Sequence, residues 1–200
     1  MISIYNIKPQ FQKVLTPILV FLHKRNITAN QITISSCVLS FIIGVLFWFA
    51  DFNRLFFLAL PIGLLIRMAL NALDGMMARK YNQTSTKGEM LNEIGDIVSD
   101  LFVFFPLLKY QPESLYLVVL FIAFSIINEF TGIMGKVIAG ERRYEGPMGK
   151  SDRAFILGVY GLLCLFSINI SNYSIYIFIL IILLLLISTG VRIKKTLKNQ

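Results

Sequence analysis

Six long apolar runs separated by short polar stretches constrain this sequence more than any other feature. A helix needs roughly 20 apolar residues to cross the hydrocarbon core of a bilayer, and each run is close to that length. Of the 200 residues, 56% are hydrophobic, which exceeds the apolar share of an ordinary soluble domain. The sequence therefore predicts an all-α membrane protein, a six-transmembrane-helix bundle. The predicted spans are Ile32–Phe49, Leu55–Leu73, Met90–Leu108, Leu115–Val137, Ala154–Ile170 and Ile175–Val191.

The first 22 residues predict an interfacial amphipathic helix. Its apolar side chains recur at helical spacing, with lysines on the other side: Ile4, Phe11, Leu15, Ile18 and Leu22. A loosely attached arm is the alternative, and the charged residues within the stretch are atypical of a signal peptide. Thr28 or Asn30 is the expected cap of the first span. We thus expect a single membrane domain over residues 1–200, with the interfacial helix in 1–28 and the six spans in 29–200.

The distribution of basic residues predicts the orientation. All but three of the 19 lysines and arginines (Arg54, Arg67 and Lys109) fall in stretches on one side of a six-span bundle. The positive-inside rule then puts both termini in the cytoplasm. The net charge of +8 is explained by basic side chains that face anionic membrane lipids, so no nucleic-acid partner is expected. Cys37 and Cys164 lie within apolar runs and predict packing, not a disulfide.

The stretch 71–100, between the second and third runs, holds five of the eleven acidic residues. At about 100° per helical residue, one stripe contains Arg67, Asn71, Asp74, Gly75 and Ala78. A second stripe contains Asn92, Asp96 and Asp100. Two antiparallel helices can face these stripes toward each other and form an acidic pocket at the cytoplasmic end. Buried carboxylates need a cation or a basic partner, so the stripes predict a divalent-cation site, with salt bridges to Arg67 and Arg79 as the alternative.

The ligand types point to a hard cation. Oxygen ligands with no His or Cys nearby favour Mg²⁺, Mn²⁺ or Ca²⁺ over Zn²⁺, and the sole histidine, His23, is remote and expected at lipid headgroups. Gly75, Ala78 and Gly88 would let a nucleotide approach the backbone, and Arg79 offers a fork for a diphosphate. Close helix packing is the alternative explanation of the glycines.

These residues resemble the signature of a known family. The motif Asp74-Gly75-x2-Ala78-Arg79-x8-Gly88-x3-Asn92-x3-Asp96 is similar to D-x2-D-G-x2-A-R-x8-G-x3-D-x3-D of the CDP-alcohol phosphatidyltransferases, without a gap. The resemblance implies that an acceptor hydroxyl attacks the phosphorus of a CDP-linked donor, usually CDP-diacylglycerol, and that CMP leaves. It also implies two Mg²⁺ or Mn²⁺ ions, a place in the bacterial inner membrane with a cytoplasmic active site, and the homodimer that many members form.

The resemblance also implies roles for individual residues. Asp96 is expected to be the catalytic base. The CDP moiety would be bound by Asp74, Gly75, Ala78, Arg79 and Gly88. Asn71 and Asn92 stand where the signature has aspartates, so each removes one negative charge. We therefore expect Glu93 or Asp100, or both, to restore charge to a metal site formed by Asn71, Asp74, Asn92 and Asp96, whereas Glu89 is expected on a solvated face.

The acceptor site is predicted from charges elsewhere. Glu129 lies in an otherwise apolar run, where an ionisable residue marks a candidate site. Lys150 and Arg153 lie one helical turn apart at the start of the fifth run and are candidates for contact with a phosphorylated acceptor. Glycerol 3-phosphate, inositol phosphate, serine and simpler alcohols remain open as acceptors. The alternative functions are a non-catalytic CDP-lipid-binding pseudoenzyme and a small cation-binding membrane protein.

Overall fold

The chain is built from helices joined by short turns. The computed structural model describes residues 8–198, with side chains from residue 10 onward, and this part of the chain contains no strand. The predicted all-α class is confirmed. A 3-10 turn, Arg54–Leu58, and a π-helical turn, Ala59–Gly63, lead into the third helix. The helices are α1 (Lys8–Lys24), α2 (Ala29–Trp48), α3 (Leu64–Lys80), α4 (Thr86–Phe104), α5 (Leu107–Tyr110), α6 (Leu115–Ala139), α7 (Lys150–Leu165) and α8 (Ser171–Lys198).

Four helical stretches of the described residues are long and apolar enough to cross a membrane. They are Ala29–Trp48, Arg54–Lys80, Pro112–Ala139 and Ser171–Lys198. The other two predicted spans correspond to α4 and α7. Four acidic residues make α4 too polar for this group, and α7 has only 16 residues, fewer than the roughly 20 that a span requires. Six spans therefore stay a prediction.

The N-terminal segment forms α1, which packs against the bundle along one side. Leu15 and Leu19 are buried in a cluster that includes Leu73 of α3. Ile18, which was predicted on the same apolar side, is instead 47% exposed. Ile4 lies outside the described residues. The interfacial position of α1 stays a prediction.

Local hydrogen bonds fix where the helices begin and end. Of the two predicted caps for the first span, Thr28 is confirmed: its hydroxyl accepts from the Gln31 amide at 3.3 Å, and the Gln31 side chain accepts from the Thr28 amide at 2.8 Å. This reciprocal pair satisfies two amides that lack helical partners. Ser85 caps α4 by accepting from the Gly88 amide at 3.0 Å. α6 ends at Gly140, whose φ of 73° is left-handed and suits glycine.

The bundle is apolar outside and partly polar inside. Phe41 and Leu180 are more than half exposed on the outer surface, whereas Ser40, Asn128 and Ser188 are fully buried. α2 contacts both α3 and α4, and α6 packs along α8. Large apolar side chains that face outward are suited to lipid, and polar side chains within a membrane bundle usually mark a functional interior. The polar interior is therefore where a site is expected.

Replacing Gly44 with Ala is expected to destabilise the bundle, because a β-carbon at Gly44 would overlap the backbone carbonyl of Phe102 in α4. Neither backbone can move without separating α2 from α4, and overpacking of this kind costs about 1–3 kcal/mol. Thermal unfolding in detergent would measure the change. Gly190→Ala in α8 is the matched control, since a β-carbon there meets no atom within 4 Å. Equal unfolding temperatures for the two variants would contradict this packing.

Candidate functional site

A cavity of about 880 Å³ opens among α2, α3, α4 and the start of α7. It is the place where the sequence motif comes together. Eight predicted site residues line it: Asn71, Asp74, Gly75, Ala78, Arg79, Gly88, Asn92 and Asp96. Lys150 and Glu129, both predicted for the acceptor, also line it. The two predicted stripes of α3 and α4 thus face each other, as the helical spacing indicated.

Four of these residues, Asn71, Asp74, Asn92 and Asp96, form two hydrogen-bonded pairs between α3 and α4, and we call them the motif quartet. The Asn92 side-chain amide donates to Oδ2 of Asp74 at 3.0 Å. The Asn71 amide donates to Oδ1 of Asp96 over a longer 3.4 Å. Each pair therefore contains one carboxylate and one amide, which removes the repulsion that two facing carboxylates would have.

Two hydroxyl groups of α2 donate hydrogen bonds to the quartet. Thr33 donates to Oδ2 of Asp74 at 2.9 Å, and Ser36 donates to Oδ1 of Asn71 at 2.6 Å. Both residues lie on the face of α2 that packs against α3. Sequence reasoning missed them, although their spacing of three residues on an apolar helix is a signal of a polar inner stripe.

Lys150 reaches the quartet from α7. Its ammonium forms an ion pair with Oδ1 of Asp96. The first turn of α7 is held by Asp152, whose Oδ2 accepts from the Gly149 amide at 2.9 Å. The start of α7 thus positions the Lys150 ammonium at the edge of the quartet.

A buried ion-pair network lies next to the quartet and explains the remaining acidic residues. Asp100 binds Arg67 at 2.6 Å and Arg153 at 2.9 Å. Arg153 also binds Glu129 at 2.9 Å. The network joins α3, α4, α6, α7 and the loop after α6, and its members are Arg67, Glu93, Asp100, Glu129, Arg142 and Arg153.

The network corrects two predicted metal ligands. Asp100 engages arginines with both carboxylate oxygens, and Glu93 pairs with Arg142 at 2.8 Å. Neither residue lines the cavity. Their charge is neutralised by arginine, so they do not restore the charge that the quartet lacks. Glu89, by contrast, is half exposed and pairs with Lys136, as expected for a solvated face.

Arg142 and Glu129 join the network to the cavity. Arg142 binds Glu129 at 3.1 Å, and both residues line the cavity. Burial lowers the pKa of the Arg142 guanidinium, but the Glu129 carboxylate and, more weakly, that of Glu93 raise it above its ordinary value. Arg142 therefore stays charged at the cavity wall.

The prediction for Arg153 is corrected as well. Arg153 is 2% exposed, its guanidinium is occupied by Asp100 and Glu129, and it does not line the cavity. In this arrangement Arg153 positions Glu129 and Asp100 and does not reach the cavity. The basic residue that sequence reasoning missed is Arg192 of α8. It is 2% exposed and lines the cavity.

The described hydrogen bonds of Arg192 go only to backbone carbonyls, although the Glu129 carboxylate lies close enough to attract its charge. Arg192 donates to the backbone carbonyls of Glu145, at 3.1 Å, and Asn128, and it forms no ion pair within the described part of the chain. A signal was present in the sequence, because Ser188, Arg192 and Thr196 recur every four residues and are all buried. A buried guanidinium that is hydrogen-bonded only to carbonyls at a cavity wall can also bind an anion there.

The oxygen donors of the quartet suit the predicted hard cation, and the charge of the quartet limits how many such cations it can balance. No group of three His, Cys, Asp or Glu side chains in residues 10–198 is arranged to hold a metal ion. The quartet instead offers two carboxylates and two amide oxygens, all of them donors that Mg²⁺ and Mn²⁺ accept. Its charge of −2 balances a single divalent cation.

Comparison with known proteins gives a family match over most of the chain. The family model for CDP-alcohol phosphatidyltransferases matches residues 26–191. Inner membrane protein YnbA of Escherichia coli (strain K12) is 46% identical over 160 residues, which are 80% of this chain and 79% of YnbA.

Two crystal structures of the Mycobacterium tuberculosis phosphatidylinositol phosphate synthase PgsA1 are similar in fold. The structure with manganese and citrate has a TM-score of 0.72 at 20% identity, over 90% of this chain and 88% of that one. The structure with CDP-DAG bound has a TM-score of 0.72 at 19% identity, over 92% of this chain and 94% of that one. At this level of identity the likeness concerns the fold alone.

The matched region contains the whole sequence motif, the four quartet residues and Lys150. It also spans the four helical stretches that are apolar enough to cross a membrane, apart from the last residues of α8. Sequence, fold and cavity agree on one assignment. The chain belongs to the CDP-alcohol phosphatidyltransferase family.

Proposed function

We propose that this protein is a metal-dependent phosphotransferase of phospholipid biosynthesis. It transfers a phosphatidyl group from CDP-diacylglycerol to an alcohol acceptor and releases CMP. One observation carries the proposal: the quartet and the motif residues proposed for the nucleotide line a single cavity, which cationic side chains also line. CDP-DAG is bound in a PgsA1 structure of similar fold, which supports this choice of donor.

The donor headgroup would lie along α3 and the start of α4. Arg79 is exposed at the cavity edge and has no carboxylate partner within residues 10–198, so its guanidinium is available for the diphosphate. At Gly75 a β-carbon would lie 3.2 Å from Arg79, so glycine leaves room for that side chain. Asp74, Gly75, Ala78, Arg79 and Gly88 together are the proposed contacts of the cytidine diphosphate.

The quartet is the proposed site of Mg²⁺ or Mn²⁺. PgsA1, crystallised with manganese, supports that choice. When bound, such a cation neutralises charge on the phosphoryl oxygens and on the leaving group. Thr33 and Ser36 orient the quartet side chains before any ligand arrives, because both hydroxyls are fixed on α2.

Asp96 is the proposed catalytic base. Its Oδ1 is held by Lys150 and Asn71, whereas no described residue donates a hydrogen bond to its Oδ2. Oδ2 would take the proton from the acceptor hydroxyl as that oxygen bonds to the β-phosphorus, the one that carries the diacylglycerol. The bond from this phosphorus to the oxygen bridging to CMP then breaks, and CMP leaves with the electron pair.

The acceptor would lie between Asp96 and the basic wall. Lys150 and Arg192 contribute positive charge there, and Glu129, held by Arg142 and Arg153, supplies a hydrogen-bond acceptor. Because Lys150, Arg142 and Arg192 all line the cavity, an acceptor that carries a phosphate is favoured over serine or a simple alcohol.

The proposed setting is the bacterial inner membrane, with the single domain spanning it six times. α4 and α7 would complete the six spans, since most of their charged side chains face the cavity or the ion-pair network. These are Glu93, Asp96, Asp100, Lys150 and Arg153. The similarity to inner membrane protein YnbA supports this location. Positive charge on the loops supports cytoplasmic termini and a cytoplasmic active site. A homodimer stays a prediction.

A pseudoenzyme that binds CDP-lipid is the second candidate. It is favoured by one observation: each quartet carboxylate already accepts a hydrogen bond from an asparagine amide. A protein of this kind would retain the donor site without releasing CMP. A cation carrier is disfavoured, because a large apolar core of described residues fills the bundle and offers no polar path through it.

Lipid analysis of overproducing cells would test the proposed function. A phospholipid is expected to accumulate with the wild-type protein and not with Asp96→Asn, and mass spectrometry of its headgroup would identify the acceptor. We expect a headgroup derived from a phosphorylated alcohol. Identical lipid profiles for the two strains, with equal amounts of both proteins in the membrane, would favour the pseudoenzyme.

A further inference from the structure

The motif quartet has half the negative charge of the signature that it resembles. Asn71 and Asn92 replace two of the four aspartates. The quartet therefore carries a charge of −2, from Asp74 and Asp96. Two divalent cations would bring +4, so the quartet alone could balance only half of that charge.

Neither of the two acids predicted to restore charge makes up the difference. Asp100 is bound by Arg67 and Arg153, and Glu93 is bound by Arg142 at 2.8 Å. The pairs of Asp100 are buried and that of Glu93 is largely buried, and freeing either carboxylate would take a partner from an arginine in the interior, which is unfavourable. Asp100 and Glu93 are therefore not available to a second cation.

A positive charge already lies beside the quartet. The Lys150 ammonium forms an ion pair with Asp96, and its side chain is 25% exposed at the cavity wall. With Lys150 counted, the local charge is −1. A second divalent cation would meet Lys150 at close range and be repelled by it.

The asparagines also make a second cation unnecessary for holding α3 against α4. Facing carboxylates need a cation between them, whereas each pair here is joined by an amide hydrogen bond, at 3.0 Å for Asn92 with Asp74 and 3.4 Å for Asn71 with Asp96. The amide oxygens can still coordinate one ion. If the Asn71 amide turns its oxygen to the ion, the Ser36 hydroxyl that now donates to it at 2.6 Å can accept from the amide nitrogen instead.

We infer that the quartet binds one divalent cation where two would be expected, through the Asp74 and Asp96 carboxylates and the amide oxygens of Asn71 and Asn92. Lys150 supplies the additional positive charge at the same site. The inference deepens the proposed function and rests on it for the role of the ion. It makes this chain a one-cation variant of the motif.

Manganese binding to the purified full-length protein, without donor or acceptor, would test the inference. Electron paramagnetic resonance of free Mn²⁺ during titration gives the number of ions bound per chain. We expect one for the wild-type protein and two for Asn71→Asp/Asn92→Asp. Asp74→Asn/Asp96→Asn, the control, is expected to bind none. Two ions or none on the wild-type protein would overturn the inference, and so would an ion that survives in the control.

If Asn71→Asp/Asn92→Asp does not fold, a single variant still tests the number of ions bound. Asn92→Asp alone restores one charge and is expected to bind its Mn²⁺ at least about tenfold more tightly than the wild-type protein, since about 1.4 kcal/mol of added attraction suffices for that factor. Unchanged affinity would contradict the charge limit. Because the titration does not measure turnover, a protein that releases no CMP could still bind one ion, and the two proposals fail separately.

Discussion

Asp96→Asn is expected to lower the rate of CMP release from CDP-diacylglycerol by about 10²–10⁴-fold, the range for loss of a general base. Asparagine keeps the shape of the side chain and its contact with Asn71, but it cannot take a proton from the acceptor hydroxyl. The substitution also leaves Asp74 as the last carboxylate of the quartet. Initial rates with purified protein in mixed micelles, at saturating Mg²⁺ or Mn²⁺, would measure the loss.

Asp51→Asn provides the matched control for that experiment. Asp51 pairs with Lys109 at 2.7 Å in an exposed position outside the cavity, so the same chemical change there should leave the rate unaltered. A wild-type rate in Asp96→Asn would contradict the assignment of the base. Equal losses in both variants would indicate a general effect of removing a carboxylate.

Arg153→Met is expected to lower the free energy of unfolding by about 3–5 kcal/mol, the usual result of removing one partner from a buried ion pair. Arg153 is 2% exposed and binds both Asp100 and Glu129. Methionine fills much of the space but leaves the two carboxylates with one arginine fewer, so we expect the lower end of that range. Thermal unfolding in detergent micelles would show the change.

Lys195→Met is the control for burial. Lys195 pairs with Glu145 at 3.0 Å, but half of its side chain is exposed, and exposed pairs contribute about 0–1 kcal/mol. A clear difference between the two variants is therefore expected. If Arg153→Met unfolded at the same temperature as Lys195→Met, the ion-pair network would have no role in holding α6 and α7 against α4.

The sequence predicted the parts of the site that depend on spacing within one helix. Residues three or four apart share a helix face, so Asn71 and Asp74 on α3 and Asn92 and Asp96 on α4 could be placed in two stripes from the sequence alone. The cap at Thr28 was predictable for the same reason, since a capping box is a local pattern.

Contacts between distant helices could not be predicted in this way. Nothing in the spacing of α4 indicates that Asp100 meets Arg153, 53 residues later, so a carboxylate that pairs with arginine was mistaken for a metal ligand. Arg192 was missed because the positive-inside rule already explained a basic residue at the end of an apolar run. Its burial depends on the packing of α8 against α6, which sequence spacing does not show.

The most direct measurement is CMP release by the purified wild-type protein from CDP-diacylglycerol, with and without a divalent cation. Our account predicts that CMP appears when Mn²⁺ or Mg²⁺ and a phosphorylated alcohol are both present, and that a chelator stops its release. CMP release that persists in excess chelator, or no release with glycerol 3-phosphate, inositol phosphate or serine while CDP-diacylglycerol is bound, would contradict it.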